Sequence, residues 1–190
     1  MQKKSAVKPI LKKTEAKPKT NKDSKKVMFD NSIDLKLQTR ETMIGILNDR
    51  LADSSDLYSQ CKQAHWNVKG MQFIAVHELF DEVAAEVLGF VDELAERATA
   101  LGGYVYGTVR LAAQTSSLPE YDLQAVTCQE HLEAVVARVA AFGALVRQNI
   151  KDAQDDLDTA DLFTEISRAI DKKLWFLEAH LLDAPTRRSA

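Results

Sequence analysis

Four side chains in one stretch of the chain could hold a metal ion: His77, Asp81, Asp92 and Glu96. On a helix of 3.6 residues per turn they fall at about 0°, 40°, 60° and 100° around the axis, so they share one face. His65 lies twelve residues before His77, across a short turn at Asn67–Gly70. Imidazole nitrogen together with carboxylate oxygen is a donor set that suits ferrous iron. Two acids alone are usually a solvated helix face, and a lone histidine is usually a packing or surface residue. The joint pattern is what singles these residues out: two histidines twelve apart, then an aspartate fifteen further on, then a glutamate four beyond it.

Spacing limits how they can cooperate. His77 and Asp92 are separated by about 22 Å of helix, and Asp81 and Asp92 by about 16 Å, at 1.5 Å per residue. One ion cannot span either gap within one chain. If all five residues serve one site, two chains must share it. A two-fold axis crossing this helix would bring His65, His77 and Asp81 of one subunit to Asp92 and Glu96 of the partner subunit. An isologous dimer then holds two equivalent sites. The usual di-iron site inside a single bundle is excluded, because it needs two Glu-x-x-His pairs. The residues three before His65, His77, His131 and His180 are Lys62, Ile74, Cys128 and Leu177, and none is Glu. A haem-carrying bundle that also keeps such a centre is disfavoured for the same reason, so no haem is expected.

The elements that position these residues read as helices. Seven Gly and four Pro in 190 residues is low for a turn-rich β fold. A first helix shows apolar positions Ile44, Leu47, Leu51, Tyr58, Cys61 and His65, with Asn31 or Ser32 as its expected cap and an end before Gly70. A second carries Phe80, Val83, Val87, Val91, Leu94 and Leu101 in phase and stops at Gly102-Gly103. A third carries Leu132, Val135, Val139, Phe142, Val146 and Ile150. A fourth carries Leu162, Ile166, Ile170 or Ala169, Leu174, Leu177 and Leu181, with Asp158 and Thr159 as candidate caps. The connection between the second and third is long for a bundle loop, so a short helix is expected there. Short outer connections and one long crossover are the pattern of a ferritin-like four-helix bundle. The expected class is therefore all-α.

Composition divides the chain. Residues 1–27 hold ten Lys against Glu15 and Asp23; the rest holds fifteen Lys and Arg against 26 acids. The net charge of -3 thus conceals a basic arm and an acidic body. The arm should seek polyanions and the body should attract cations. With few large apolar residues, Pro9 and Pro18, and Lys throughout, the arm cannot offset its ordering entropy and reads as disordered. Its lysines, Lys3, Lys4, Lys8, Lys12, Lys13, Lys17, Lys19, Lys22, Lys25 and Lys26, suit non-specific contact with nucleic-acid phosphates. The bland alternative is a solubilising tail. Without aromatic residues the arm offers no base stacking. The expected division is a disordered tail over 1–30, the bundle over 31–183 and a short C-terminal tail over 184–190. The longest apolar run, Val139 to Val146, is eight residues, too short to cross a membrane. No signal peptide is evident. Two cysteines, Cys61 and Cys128, offer no disulfide framework or zinc spacing and read as buried thiols.

Several separated motifs resemble the Dps family, the miniature ferritins that protect bacterial DNA during starvation and oxidative stress. The stretch QAHWNVKGMQFIAVHELFDE over 63–82 is similar to the family signature. The likeness continues through Asp92-x-x-x-Glu96, Gly107-Thr-Val-Arg110, Leu118-Pro-Glu-Tyr121, Thr159-Ala-Asp161 and the run Asp171 to His180. It covers about residues 33–183.

The resemblance implies a hollow homo-dodecamer with di-iron ferroxidase centres at two-fold interfaces, in agreement with the distance argument. By motif, His65 of one chain and Asp92 and Glu96 of the other would bind the first iron. His77 and Asp81 would support a weaker second position. Trp66, beside His65, would lie near the centre and could intercept oxidising equivalents; a packing role is equally open. Trp175 reads as core, and His131 and His180 as structural or surface residues. The acidic cluster Asp152, Asp155, Asp156, Asp158 and Asp161 would lie in the region lining a three-fold pore, with Asp161 and Asp156 as the pore candidates; helix capping and surface charge are its bland explanation. The implied activity is oxidation of Fe(II) by hydrogen peroxide, storage of ferric mineral, and protection of DNA that the tail binds. The implied place is the cytoplasm, on the nucleoid, with no membrane partner. The alternative is a structural nucleoid protein whose metal site is inactive or holds a metal other than iron.

Overall fold

The computed structural model describes residues 27–182. The ten tail lysines and the whole of the expected C-terminal tail lie outside the described residues. Within them the chain forms α1 (Leu37–Asn67), α2 (Phe73–Ala100), α3 (Val109–Thr115), α4 (Cys128–Asp152) and α5 (Leu157–Glu178). The four long helices are the four expected bundle helices, and α3 is the short helix in the crossover. Among the described residues no helix is long and apolar enough to cross a membrane.

The apolar stripes converge on one core. Leu47, Leu51, Phe80, Val87, Leu94, Leu132, Val139, Phe142, Ile166 and Ile170 are buried at its centre. Fully burying each such side chain contributes roughly 1.5–3 kcal/mol. α1 packs against α2 and α4 against α5, each pair joined by a short turn. The turn between α1 and α2 determines how His65 and His77 meet.

Helix ends are set by local chemistry, and two differ from expectation. α4 starts on a reciprocal capping box, Thr127 with Glu130. α1 starts at Leu37, not near Asn31 or Ser32. Asn31 instead donates its amide to the Ala100 carbonyl at the end of α2 and accepts from the Ile33 backbone. Arg40 similarly donates to the Leu101 carbonyl. The segment before α1 is thus tied to the open end of α2, supplying partners for carbonyls that the helix cannot satisfy itself. Gly102, at φ +87, makes this possible: a Cβ there would sit 2.3 Å from the Phe29 carbonyl oxygen. Met28 and Phe29 pair with Gly103 and Gly102, so the packed body begins a little before residue 31.

α5 is capped by Asp156, whose side chain accepts from the Thr159 backbone, rather than by Asp158 or Thr159. The crossover is anchored to α1 through Asp53, which is wholly buried. Its carboxylate pairs with Arg50 at 2.9 Å and accepts from the Ser117 backbone at 2.7 Å.

Candidate metal centre

His65 lies in the last turn of α1 and His77 in the second turn of α2, and the turn between them brings the rings face to face. Their centroids are 3.7 Å apart and their planes 20° off parallel. His65 Nδ1 lies 2.8 Å from the His77 carbonyl oxygen, and His77 Nδ1 lies 2.8 Å from the His65 carbonyl oxygen. A carbonyl only accepts, so each Nδ1 must carry the proton and donate it. This leaves both Nε2 atoms with free lone pairs, which is the state a metal ligand needs. Phe73 packs against the His77 ring at 4.9 Å and helps to fix it.

Asp81 follows His77 by one helical turn and is exposed. Lys62, one turn before His65, forms an ion pair with it. That hydrogen bond, with the positive charge of Lys62, holds the Asp81 carboxyl below the usual carboxylate range. Lys62 also lies over the Trp66 ring, at 5.8 Å. Trp66 itself is 67% exposed.

One chain therefore brings His65 and His77 together, with Asp81 one turn further along α2 and paired with Lys62. Asp92 and Glu96 are exposed further along α2, on the same face and about 22–29 Å of helix from His77. No group of three His, Cys, Asp or Glu that could hold a metal ion gathers among the described residues.

α2 also has a face that sequence reasoning missed. With His77 at 0°, the core residues centre near 260° and the candidate ligands near 50°, while Glu82, Glu86 and Glu93 fall at about 140–180°. Glu165 of α5 joins this third face. Burial raises the Glu93 carboxyl, and the negative charges of Glu165, Glu86 and Asp92 raise it further. Lys173 offsets part of the charge, at 3.3 Å from Glu82 and 3.9 Å from Glu86. The signal was present as glutamates four and seven apart, but it looks like any solvated stripe until α5 supplies the fourth carboxylate.

The acidic cluster at the start of α5 separates into two kinds of residue. Asp152, Asp155, Asp158 and Asp161 are exposed. Asp156 is only 3% exposed, and both its oxygens accept from Arg97 Nη2, at 2.7 and 2.9 Å. Burial alone would raise its carboxyl, but bonds from Thr159 and Arg97 outweigh this and hold it below the usual range. Asp156 is committed to capping α5 and joining it to α2, which corrects its expected place as a pore carboxylate.

Two other expectations change, for Trp175 and Cys128. Trp175 is 63% exposed rather than core, because it lies off the Ile166–Ile170–Leu177 stripe. Cys61 is buried, its thiol pushed up to about 12 by desolvation, whereas Cys128 opens α4 and is only partly buried. His180 is exposed, while His131 is buried against Tyr121.

A family model described as a ferritin-like domain matches residues 44–186. The DNA protection during starvation protein of Agrobacterium fabrum is 43% identical over 150 residues, which cover 78% of this chain and 93% of that protein. The fine tangled pili major subunit of Haemophilus ducreyi is 33% identical over 185 residues, 95% of this chain and 96% of that protein. Among solved structures, DpsA14 from Streptomyces coelicolor matches with a TM-score of 0.80 at 30% identity, covering 85% of this chain and 96% of its own. Dps from Mycobacterium smegmatis matches with a TM-score of 0.79 at 31% identity, covering 83% and 96%.

Proposed function

This chain belongs to the Dps family of ferritin-like proteins, and from that premise we propose that it oxidises Fe(II) with hydrogen peroxide, stores the ferric product and protects DNA. The observation that carries the reading is the reciprocal His65–His77 pair, whose Nδ1 atoms are both engaged by main-chain carbonyls so that both Nε2 atoms stay free for a metal ion.

Iron is the substrate. His65 of one subunit, with Asp92 and Glu96 of the partner subunit, takes the first ferrous ion. His77 and Asp81 take a second, weaker one. Two ferrous ions give one electron each to hydrogen peroxide, which takes up two protons and leaves as two waters. Matching two one-electron donors to a two-electron oxidant avoids releasing hydroxyl radical. Carboxylate oxygen favours the ferric product, because hard anionic donors gain more from the higher charge. The ferric ions then pass to Glu82, Glu86, Glu93 and Glu165, a carboxylate surface suited to nucleating mineral inside a dodecameric shell. Exposed Asp161 is the remaining candidate for a pore that admits iron.

The Lys-rich tail, repeated on every subunit, binds DNA without sequence preference in the cytoplasm. Many weak arms on one particle gain avidity through effective concentration. One observation favours the alternative, a structural DNA-binding protein with an inactive or non-iron site: Lys62 already occupies Asp81.

The test is anaerobic addition of ferrous iron, followed by peroxide, with ferric absorbance as the readout. His65→Ala and Asp92→Ala shells should each lose the fast phase. Because the site is shared, subunits of the two variants assembled together regain about a quarter of the sites, from statistical pairing across two-fold interfaces. Oxidation no faster than in protein-free buffer would favour the structural alternative. Loss in both variants without recovery on mixing would rule out sharing.

A further inference from the structure

We propose that Tyr121 and His131 form a proton-coupled redox pair that takes an oxidising equivalent from Trp66 and holds it until a ferrous ion returns the electron. The proposal rests on the ferroxidase reading only for the source of the oxidant.

The geometry carries it. Tyr121 Oη lies 2.6 Å from His131 Nδ1, and the two residues are 7% and 1% exposed. The rings are 22° from parallel. His131 Nε2 is buried with no hydrogen-bond partner among the described residues. A buried imidazole that serves only packing normally satisfies its polar atoms; among the described residues the one polar contact of this ring is the phenol. Tyr121 also lines a cavity of about 510 Å³ together with Trp66, the exposed indole next to His65. The oxidant's point of arrival and the buried phenol therefore border one space.

Phenol loses an electron readily only if its proton can leave in the same step, and a neutral imidazole at hydrogen-bond distance accepts that proton. Burial raises the Tyr121 phenol to about 12 and lowers the His131 imidazole. The resting pair is therefore neutral on both sides, and the proton moves only on oxidation. The Arg138 guanidinium, 5.7 Å from the Tyr121 ring, disfavours a phenoxyl cation and so requires that the proton depart.

The steps balance. A ferrous ion that meets peroxide alone gives ferric ion, hydroxide and hydroxyl radical. The radical takes a hydrogen atom from the Trp66 indole, forming water and a neutral indolyl radical. Tyr121 passes an electron to the indolyl radical, which takes a proton from solvent, while the Tyr121 proton moves to His131 Nδ1. The product is a neutral phenoxyl radical beside an imidazolium. A ferrous ion then reduces the phenoxyl, the proton returns from His131, and ferric ion is released. The bundle ends unchanged, and the radical is kept from bound DNA.

The test separates this pair from the ferroxidase reading by using the iron-free full-length shell. Azidyl radicals from pulse radiolysis oxidise exposed indoles. The indolyl band should decay in a first-order step as the phenoxyl band rises, at a rate independent of protein concentration and slowed in D₂O. Tyr121→Phe should remove most of the phenoxyl yield. His131→Gln keeps a hydrogen-bond acceptor but no base, and should abolish the fast step. Trp66→Phe should suppress it, whereas Trp175→Phe should not. Equal phenoxyl yield in Tyr121→Phe and the parent overturns the proposal. So does the absence of a D₂O effect in the parent, which needs no variant to fold. A Tyr121 radical formed in radiolysis, with no ferric absorbance from iron and peroxide, would sink the ferroxidase reading alone.

Discussion

His65 and His77 fix each other's tautomer: each Nδ1 donates to the other residue's main-chain carbonyl at 2.8 Å, with the rings stacked 3.7 Å apart. The pair is built on backbone acceptors, which substitution of neighbouring side chains does not remove. It sits at the junction of α1 and α2, so the turn at Val68–Gln72 sets how the two rings meet as well as chain direction.

If Asp81 takes a metal ion as proposed, Lys62 competes for it. An ion pair with an exposed partner contributes at most about 1 kcal/mol, so Lys62→Gln should tighten the weaker metal position by up to about fivefold. Cobalt(II) or zinc(II) titration by calorimetry would show it as a lower second Kd. An unchanged second Kd would mean that Lys62 yields without cost.

Asp156→Ala should destabilise the bundle by about 3–5 kcal/mol, since it leaves the largely buried Arg97 unpaired and removes the α5 cap. Asp156 also predicts acid sensitivity. Its folded carboxyl is held below the unfolded value, so its stabilisation is present above the ordinary aspartate range and is lost as pH falls through the lowered folded value. Denaturant midpoints of the parent and Asp156→Asn across that range should converge at the acid end. Parallel pH curves would refute the assignment.

Gly102→Ala should destabilise by about 1–3 kcal/mol, because φ is positive and the added Cβ meets the Phe29 carbonyl. The same change should expose the segment around Phe29 to protease before the helices melt. If the variant melts with the parent and resists cleavage there, the tie between Phe29 and Gly102 is not what orders the segment.

Deleting residues 1–27 should abolish DNA retention at low salt while leaving iron oxidation intact. The deletion stops just before Met28, where pairing with Gly103 begins, so the bundle keeps its anchor. In the parent, each phosphate neutralised should add about 0.9 to the log–log salt slope. Gel shifts across a salt series would measure it. Retention by the truncated shell would place DNA binding on the acidic body instead.

The helices, and the shared face of the candidate ligands on α2, were legible because both depend on periodicity. Residues at helical spacing share a face whatever packs against it, so Leu47, Phe80, Val139 and Ile166 announced the core, and His77, Asp81, Asp92 and Glu96 could be placed on one face of α2. Distance along a rigid helix also follows from residue count, which is why sharing between subunits could be argued before any fold was known. The start of α1 was not legible. Asn31 is a good cap by type, but its amide is drawn to a carbonyl sixty-nine residues away at the end of α2. Asp156 likewise read as one acid among five, until Arg97 from α2 removed it from solvent. Lys62 and Asp81, His65 and His77, and Tyr121 and His131 are pairings between chain segments, and no local pattern encodes which partner a side chain meets. The sequence by itself determined the all-α class, the shared face of the candidate ligands and the length of helix that separates them, because these follow from periods and lengths. Only the tertiary structure decided tautomers, ion-pair partners and which acids remain free, because those depend on distances between segments that the chain brings together on folding.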